Sequence, residues 1–395
     1  MDERGSAYSR LAFFGSAAMW NVCQSAFQVL LPLYALSLGL SMLKIASVVA
    51  IPSVVQFVVR LAGGVLSDRF GEHRILQGCY FIMVMAALSL AAAEGTAGLF
   101  LAQTVSHFSR ATFWGTAQSL ASQLPGSHSG KKLGRLSACA NTGSLLGYLV
   151  GGVLPAYFGY RSSFFMLVAL TLLGFASGFL MPRTRPKPSD RSLWEISTGI
   201  VRFLRQRPAW LAISASYSSA LPASLAQTIY PVYLTALSFG TGWVGLAVSL
   251  RALGVVAAAL TIARLITPAR EKLIYGVALA VIGLALIGSG LSKELFFLSA
   301  CIAVLGTAGG AMDIFYQVQA THMSKEADRA VAFAAVGIGW TLSHLFSPLV
   351  AGALVEAYGF PFAFAALGAF MLLAAAGTKL WYRLLMTKAT ALKAA

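Results

Sequence analysis

The sequence predicts an all-α membrane protein with twelve transmembrane helices, arranged as two pseudo-symmetric bundles of six. Of its 395 residues, 58% are hydrophobic and only 11% are charged, whereas a soluble domain carries about a quarter charged residues. The apolar runs are roughly 20 residues long, which is the length of a membrane-spanning helix and too long for the strands of a membrane barrel. A repeat between the two halves of the chain predicts the division into bundles.

The predicted spans follow the apolar runs in order and are joined mostly by short polar connections. They lie near 11–36, 42–67, 73–93, 96–121, 133–157, 161–181, 209–236, 242–265, 271–290, 293–322, 328–356 and 361–385. We therefore expect an N-terminal bundle at 1–181, a cytoplasmic linker at 182–208 and a C-terminal bundle at 209–395. The linker opens with three prolines, which exclude a helix there. Its continuation, Leu193 to Leu204, alternates apolar and basic residues, which predicts an amphipathic helix on the membrane surface.

The two halves repeat in sequence at a constant offset of 200 residues. The segment 147–154 aligns with 347–354, and the match continues through Gly159 with Gly359 and Phe164 with Phe364. Span 5 thus corresponds to span 11. Parallel six-helix repeats are typical of secondary transporters, in which the substrate site lies near the middle of the membrane between the halves.

The formal net charge of +16 has two interpretations. In a soluble protein it would indicate nucleic-acid binding, but in a chain this apolar it indicates Lys and Arg gathered in cytoplasmic loops. With both termini in the cytoplasm, only Lys44, Arg161 and Lys293 would lie outside. We therefore expect an integral protein of a bacterial inner membrane, with lipid and no nucleic acid around it, that works as a monomer.

A polar turn is predicted between spans 2 and 3, at 63–74. It reads Gly-Gly-Val-Leu-Ser-Asp-Arg-Phe-Gly-Glu-His-Arg. This turn resembles the signature motif of the major facilitator superfamily, Gly-x-Leu-Ala-Asp-Arg-x-Gly-Arg-Lys. Glu72 and His73 stand where the motif has two basic residues, and the copy expected after span 8 retains only its basic end.

The resemblance implies that the acid of the motif helps to latch the two bundles on the cytoplasmic side, here against the start of span 11. The alternative is an exposed acid paired with a nearby arginine. Arg60 lies on the same small and polar helical face and is expected to join the latch, or else to border the transport path. The candidate latch residues are Arg60, Gly64, Asp68, Arg69, Gly71 and Arg74.

In the same family, spans 1, 4, 7 and 10 line the substrate cavity. Polar and aromatic residues at helical spacing on these spans are therefore candidate cavity or substrate contacts, although they can equally well form hydrogen bonds between helices. Arg110 matches an arginine of the family motif in span 4 only in part. The candidates are Asn21, Gln24, His107, Arg110, Trp114, Tyr217, Gln227, Tyr316 and Gln317.

Asp313 is the only acid that the predicted spans place deep in the membrane. A carboxyl group held in an apolar environment and close to other charges can bind and release a proton as its surroundings change. We therefore expect Asp313 to couple transport to protons. The competing role is a lasting ion pair with Arg251 of span 8 or Arg110 of span 4.

Motifs for other chemistry are missing from the sequence. No phosphate-binding loop, metal-ligand cluster or catalytic triad is present, so we expect neither an enzyme nor a cofactor or metal. The prediction is a secondary transporter that moves a small organic solute by alternating access, with proton-coupled efflux favoured. Alternatives are proton-coupled uptake of a small organic anion and, from another class, a non-transporting membrane receptor or a channel.

Overall fold

The computed structural model describes residues 3–124, 129–182, 193–262, 265–267, 269–324 and 329–386. Within these ranges the chain forms α-helices and no β-strand. The helices are α1 Glu3–Ser37, α2 Met42–Ala50, α3 Ser53–Phe70, α4 Glu72–Ala91, α5 Thr96–Gln123, α6 Ser129–Gly178, α7 Leu193–Leu204, α8 Arg207–Ala226, α9 Ile229–Ala236, α10 Thr241–Thr261, α11 Glu271–Leu291, α12 Leu295–His322, α13 Arg329–Ala376 and α14 Thr378–Met386.

These helices confirm the predicted twelve-helix fold once their breaks and kinks are counted. The long helices α6 and α13 each bend at a glycine with positive φ, Gly159 (φ 70°) and Gly359 (φ 83°), and so supply two spans each. Conversely, α2 and α3 together form one span that is broken before Ser53, and α8 and α9 form another. Among the described residues, seven helical stretches are long and apolar enough to cross a membrane by length and composition alone, including most of α6 and of α13.

The chain divides into two compact units. The first contains residues 1–193 and 238–249, and the second contains residues 194–237 and 250–395. The amphipathic helix α7 therefore belongs almost entirely to the second unit.

In the first unit, α1 and α6 pack with their backbones in contact. A Cβ atom added to Gly143 would lie 2.2 Å from the Ala18 carbonyl oxygen, and one added to Gly147 would lie 2.4 Å from that of Val22. Gly151 approaches Ala26 in the same way, with 2.7 Å to its carbonyl oxygen. Small residues allow close approach of this kind in membranes, where the hydrophobic effect does not drive helices together. We call these three glycines the α6 glycine seam.

In the second unit, α10 and α12 make a comparable contact. A Cβ atom at Gly254 would lie 2.2 Å from the Ala303 carbonyl oxygen, and one at Gly306 would lie 2.1 Å from that of Arg251. Gly310 continues the contact against Val255. This seam fixes how α12 lies against α10, and α12 carries Asp313.

An aromatic cluster forms the core of the first unit near the start of α1. The rings of Trp20 and Phe113 stack with their centroids 3.8 Å apart, and the Trp20 indole N–H donates to Ser109 Oγ at 3.1 Å. Tyr80 packs edge-on against Phe113 and hydrogen bonds to Ser16 at 2.5 Å. The cluster binds α1, α4 and α5 together, with each buried polar group satisfied by a neighbouring helix.

Candidate substrate and coupling site

Asp313 is the centre of a polar cluster in the second unit. Gln317, one turn further along α12, donates from Nε2 to Asp313 Oδ2 at 2.8 Å, and Ser219 of α8 donates to Oδ1 at 3.4 Å. Tyr316 also hydrogen bonds to the carboxyl group, and Arg251 lies within electrostatic range. The donors and the arginine stabilise the charged carboxylate, whereas the apolar surroundings favour the neutral acid. Small movements of these neighbours can therefore change which form predominates.

The placement of Arg251 follows from the glycine contact between α10 and α12. Gly306 has no side chain, and therefore the Arg251 backbone can lie against α12 two helical turns before Asp313. Arg251 is the only arginine of α10, and Asp313 is the only acid within α12, whose N-terminal cap is Glu294. The contact between the two helices brings Arg251 near Asp313. The Asp313 carboxyl group thus has hydrogen-bond donors and a nearby arginine within one unit.

A second set of polar contacts joins α8 to α13 in the same unit. The hydroxyl groups of Tyr217 and Ser347 lie 3.1 Å apart, and Ser347 is also 3.2 Å from Ser343. Tyr217 is half-buried, as are Asp313 and Tyr316, whereas Gln317 is exposed. Gln227 lies apart from this group, at the C-terminal end of α8. It is buried there, and its backbone N–H donates to the Ala223 carbonyl.

The candidates on α1 make contacts of two kinds. Gln24 exchanges hydrogen bonds with Ser106 of α5, with Nε2 at 3.0 Å from Oγ and Oγ at 3.3 Å from Oε1. Asn21 donates instead to the Ala17 carbonyl of its own helix at 2.9 Å. Both side chains are 5% exposed. In this structure, therefore, Gln24 joins two helices and Asn21 does not.

His107 lies between two glutamines. Its Nδ1 is 2.7 Å from Gln56 Oε1, and its Nε2 is 3.2 Å from Gln103 Nε2. Because an amide nitrogen only donates, this arrangement fits the tautomer that carries its proton on Nδ1. Two buried atoms of the group, Gln56 Nε2 and Gln103 Oε1, have no hydrogen-bond partner among the described residues. A polar group of a ligand or a water molecule would satisfy them.

The other residues on the His107 face of α5 differ in environment. Arg110 is buried and within electrostatic range of His107. Trp114 is half-buried and packs against the aromatic core, edge-on to Phe113 at 5.9 Å. Gln118 is exposed. A shared helical face therefore does not place these residues around one site.

The region of the predicted turn at 63–74 is mostly helical. The helix α3 continues to Phe70, and only Gly71, with φ 84°, separates it from α4. The prediction of a turn over 63–74 was therefore wrong in its length, although Gly71 does allow the change of direction. The side chains of residues 61–68, Asp68 among them, lie outside the described part of the chain; Gly64 has no side chain. Arg69 and Arg74 are exposed, and Arg60 is half-buried.

One glutamate that departs from the family motif has a structural role. Glu72 is 5% exposed and accepts hydrogen bonds from Ser119, at 2.9 Å, and from Gln123, both at the end of α5. In the second unit, Glu271 likewise starts α11 and accepts from Gln319 of α12 at 2.8 Å. In each unit, therefore, a glutamate at the start of one helix accepts hydrogen bonds from the C-terminal part of the next helix. The sequence alone does not show this symmetry, because it depends on how the helices pack.

Sequence reasoning also missed the partners of the candidate residues. The residue Gln103 lies four positions before His107, so helical spacing could have identified it. Nothing in the sequence pairs Gln56 with His107 or Ser219 with Asp313, because these contacts depend on how separate helices pack. No group of three or more His, Cys, Asp or Glu that could hold a metal ion occurs among the residues described.

Comparisons with known proteins agree with this architecture. A family model described as Major Facilitator Superfamily matches residues 11–267 and 221–394. The quinolone resistance protein NorA of Staphylococcus aureus is 22% identical over 204 residues, which is 51% of this chain and 52% of NorA. The multidrug resistance protein MdtG of Enterobacter lignolyticus is 42% identical over 69 residues, 18% of this chain and 16% of MdtG. The matched regions thus span about half the length of NorA and less of MdtG.

Solved structures extend the likeness over the whole fold. The crystal structure of a bacterial homologue of the human lysosomal transporter Spinster superposes with a TM-score of 0.79 at 13% identity, covering 98% of this chain and 99% of the other. At that identity the likeness concerns the fold alone. With the family model matching nearly all of its length, the chain belongs to the Major Facilitator Superfamily, a family of membrane transporters and not of enzymes.

Proposed function

We propose that the protein is a secondary active transporter that exports a small organic solute in exchange for protons. The observation that carries this proposal is the Asp313 cluster, in which one membrane carboxyl group is held by Ser219, Gln317 and Tyr316 beside Arg251. The similarity to a quinolone resistance protein favours export of an amphipathic compound. We further propose that the protein works as a monomer in a bacterial inner membrane, with both termini in the cytoplasm.

In the proposed cycle Asp313 accepts one proton and later releases it on the other side of the membrane. When the carboxylate becomes a carboxylic acid, the oxygen that takes the proton becomes a donor and a weaker acceptor, so a hydrogen bond from a donor such as Gln317 is weakened. Loss of the charge also frees Arg251 from its electrostatic partner. Protonation would thereby change the hydrogen bonds between α8 and α12, and this is the step that links proton binding to helix movement.

The solute contacts are assigned to the polar faces of the helices already described. We propose that Gln24, His107 and Arg110 of the first unit and Tyr217, Tyr316 and Gln317 of the second contribute to substrate binding, together with Asn21, Trp114 and Gln227. A solute can reach with least rearrangement the side chains that are not fully buried, which are exposed Gln317 and half-buried Trp114, Tyr217 and Tyr316.

A latch at the connection of α3 and α4 would control the exchange between inward and outward states. We propose that Asp68, with Arg60, Arg69 and Arg74, forms it, and that Gly64 and Gly71 give the backbone its path. The sharp break at Gly71 and the exposure of Arg69 and Arg74 support the assignment. The variant Asp68→Asn should shift the balance of the two states, measured by labelling of single cysteines from either side.

The proton-coupling role is tested with purified protein in liposomes that contain a pH-sensitive dye. A quinolone is added on one side, with and without an imposed pH gradient, and proton movement is recorded for wild type, Asp313→Asn and Glu294→Gln. The control removes an exposed acid from the N-terminal cap of the same helix. We expect coupled proton movement in wild type and in Glu294→Gln, and none in Asp313→Asn.

Two outcomes would contradict the proposal. Equal proton movement in wild type and Asp313→Asn would remove Asp313 from the coupling role. Flux of the quinolone that needs no gradient and does not saturate would indicate a channel instead of a transporter.

A further inference from the structure

The helix α7 has one face packed against other helices of the second unit and one face that is exposed among the described residues. On the packed face, Ile200 and Phe203 are 6% and 5% exposed. Gly199 lies so close to α13 that an added Cβ atom would be 3.0 Å from Val331 Cγ1. The end of α7 is tied to α8, because the Trp210 indole N–H donates to the Leu204 carbonyl at 3.1 Å. The helix is thus held in one orientation.

The opposite face combines apolar and basic side chains. Trp194 is 76% exposed and Val201 is 50% exposed. Arg202 and Arg205 are exposed beside them, and Glu195 is the only acid in α7. Tryptophan and arginine are the residues that occur where a protein meets lipid headgroups, since the indole ring tolerates the boundary and the guanidinium group binds phosphate.

The position of α7 in the chain decides what this face meets. Only two residues separate Leu204 from Arg207, where α8 begins its passage through the membrane. A helix that ends this close to a membrane entry point lies at the level of the lipid headgroups. Exposed Trp210, in the first turn of α8, extends the same aromatic boundary. The neighbouring leaflet, and not a soluble partner, is therefore within reach of Arg202 and Arg205.

We propose that the exposed face of α7, formed by Trp194, Val201, Arg202 and Arg205, is a binding surface for the phosphate headgroups of anionic phospholipids. Trp194 and Val201 enter the boundary of the acyl chains, and the two arginines hold the phosphates. Each basic residue at an anionic membrane surface contributes to the free energy of binding. Loss of both arginines should therefore weaken the preference for anionic over zwitterionic lipid by about 25-fold.

The surface is tested by lipid quenching of tryptophan fluorescence in the purified full-length protein. The protein is placed in phosphatidylcholine vesicles that contain a small fraction of brominated phosphatidylglycerol or, separately, brominated phosphatidylcholine. The signal of Trp194 is the difference between wild type and Trp194→Phe in each vesicle. We expect phosphatidylglycerol to quench Trp194 more strongly than phosphatidylcholine does, and the excess to disappear at high salt because exposed charges are screened.

Two double variants decide the role of the arginines. In Arg202→Gln/Arg205→Gln we expect the excess quenching by phosphatidylglycerol to be lost. In the control Arg161→Gln/Lys293→Gln, which removes one exposed cation from α6 and another from the connection before α12, we expect it to remain. Each double variant is checked for a single symmetrical gel-filtration peak. A double variant that fails this check is replaced by the two corresponding single variants.

Equal quenching of Trp194 by the two lipids would overturn the proposal, and so would excess quenching that survives the loss of both arginines. These readouts measure binding and need no transport substrate. The lipid surface can therefore fail or stand independently of the proposed transport function.

Discussion

The contact between Gly306 and Arg251 predicts a large effect for the smallest possible substitution, Gly306→Ala. An added Cβ atom would lie 2.1 Å from the Arg251 carbonyl oxygen, 2.8 Å from its carbonyl carbon and 2.9 Å from its Cα. Non-bonded atoms of this kind need about 3.5 Å, so α12 would have to move away from α10 by roughly 1 Å. Because the atoms met are backbone, no side-chain rotation relieves the clash.

Overpacking of this kind costs about 1–3 kcal/mol. For a unit of this size each kcal/mol lowers Tm by about 2–4 °C, so we expect Gly306→Ala to unfold several degrees below wild type. The assay is thermal unfolding with a dye that becomes fluorescent on reaction with thiols. Cys23, Cys79 and Cys301 are buried in the folded protein, and they react only when the helices separate.

The control for this prediction is Gly115→Ala in α5. There an added Cβ atom meets nothing within 4 Å, and alanine favours the helix by about 0.5–1 kcal/mol over glycine. The Tm of this variant should equal or exceed that of wild type. A Tm for Gly306→Ala as high as that of Gly115→Ala would refute the backbone contact between α10 and α12.

Three further substitutions test the polar contacts of the first unit by the same thermal assay. Glu72→Leu removes the buried carboxylate that accepts from Ser119 and Gln123, and should cost about 1–3 kcal/mol. An unchanged Tm would mean that the acid does not hold α4 against α5. Trp20→Phe loses the hydrogen bond to Ser109 and leaves a cavity where the larger, fully buried indole packed, so we expect a loss of about 1–3 kcal/mol. An unchanged Tm would count against this packing. Tyr80→Phe removes the hydroxyl group that bonds to Ser16 and should also lower the Tm, with a stability equal to wild type counting against the contact.

The fold was predictable because the bilayer fixes the length and composition of each span. Contacts within one helix are predictable as well, because residues four apart lie on the same helical face. Asp313 and Gln317 have this spacing, and they form a hydrogen bond of 2.8 Å. The regular spacing of α5 was less informative. It grouped His107 with Trp114, yet one is buried and the other only half-buried, since each helix face meets several different neighbours.

Contacts between helices could not be predicted from the sequence, and the reason is physical. Gln24 and Ser106 are 82 residues apart in the chain, and their meeting depends on the rotation and height of α1 against α5. Those are set by close backbone contacts such as the α6 glycine seam, whose partners no periodicity identifies. The break before Ser53 and the kinks at Gly159 and Gly359 likewise alter the direction of a span without altering its apolar character.

The α6 glycine seam has a consequence for how the two repeats can evolve. At the 200-residue offset, Gly143 and Gly147 correspond to Ser343 and Ser347. The hydroxyl groups of these serines bond to one another, and that of Ser347 also bonds to Tyr217. The first repeat has no space for a side chain at these positions, so any larger residue there would be eliminated by misfolding. The second repeat holds buried hydroxyl groups at the same positions. Exchange of one small polar side chain for another is therefore open to α13 and closed to α6.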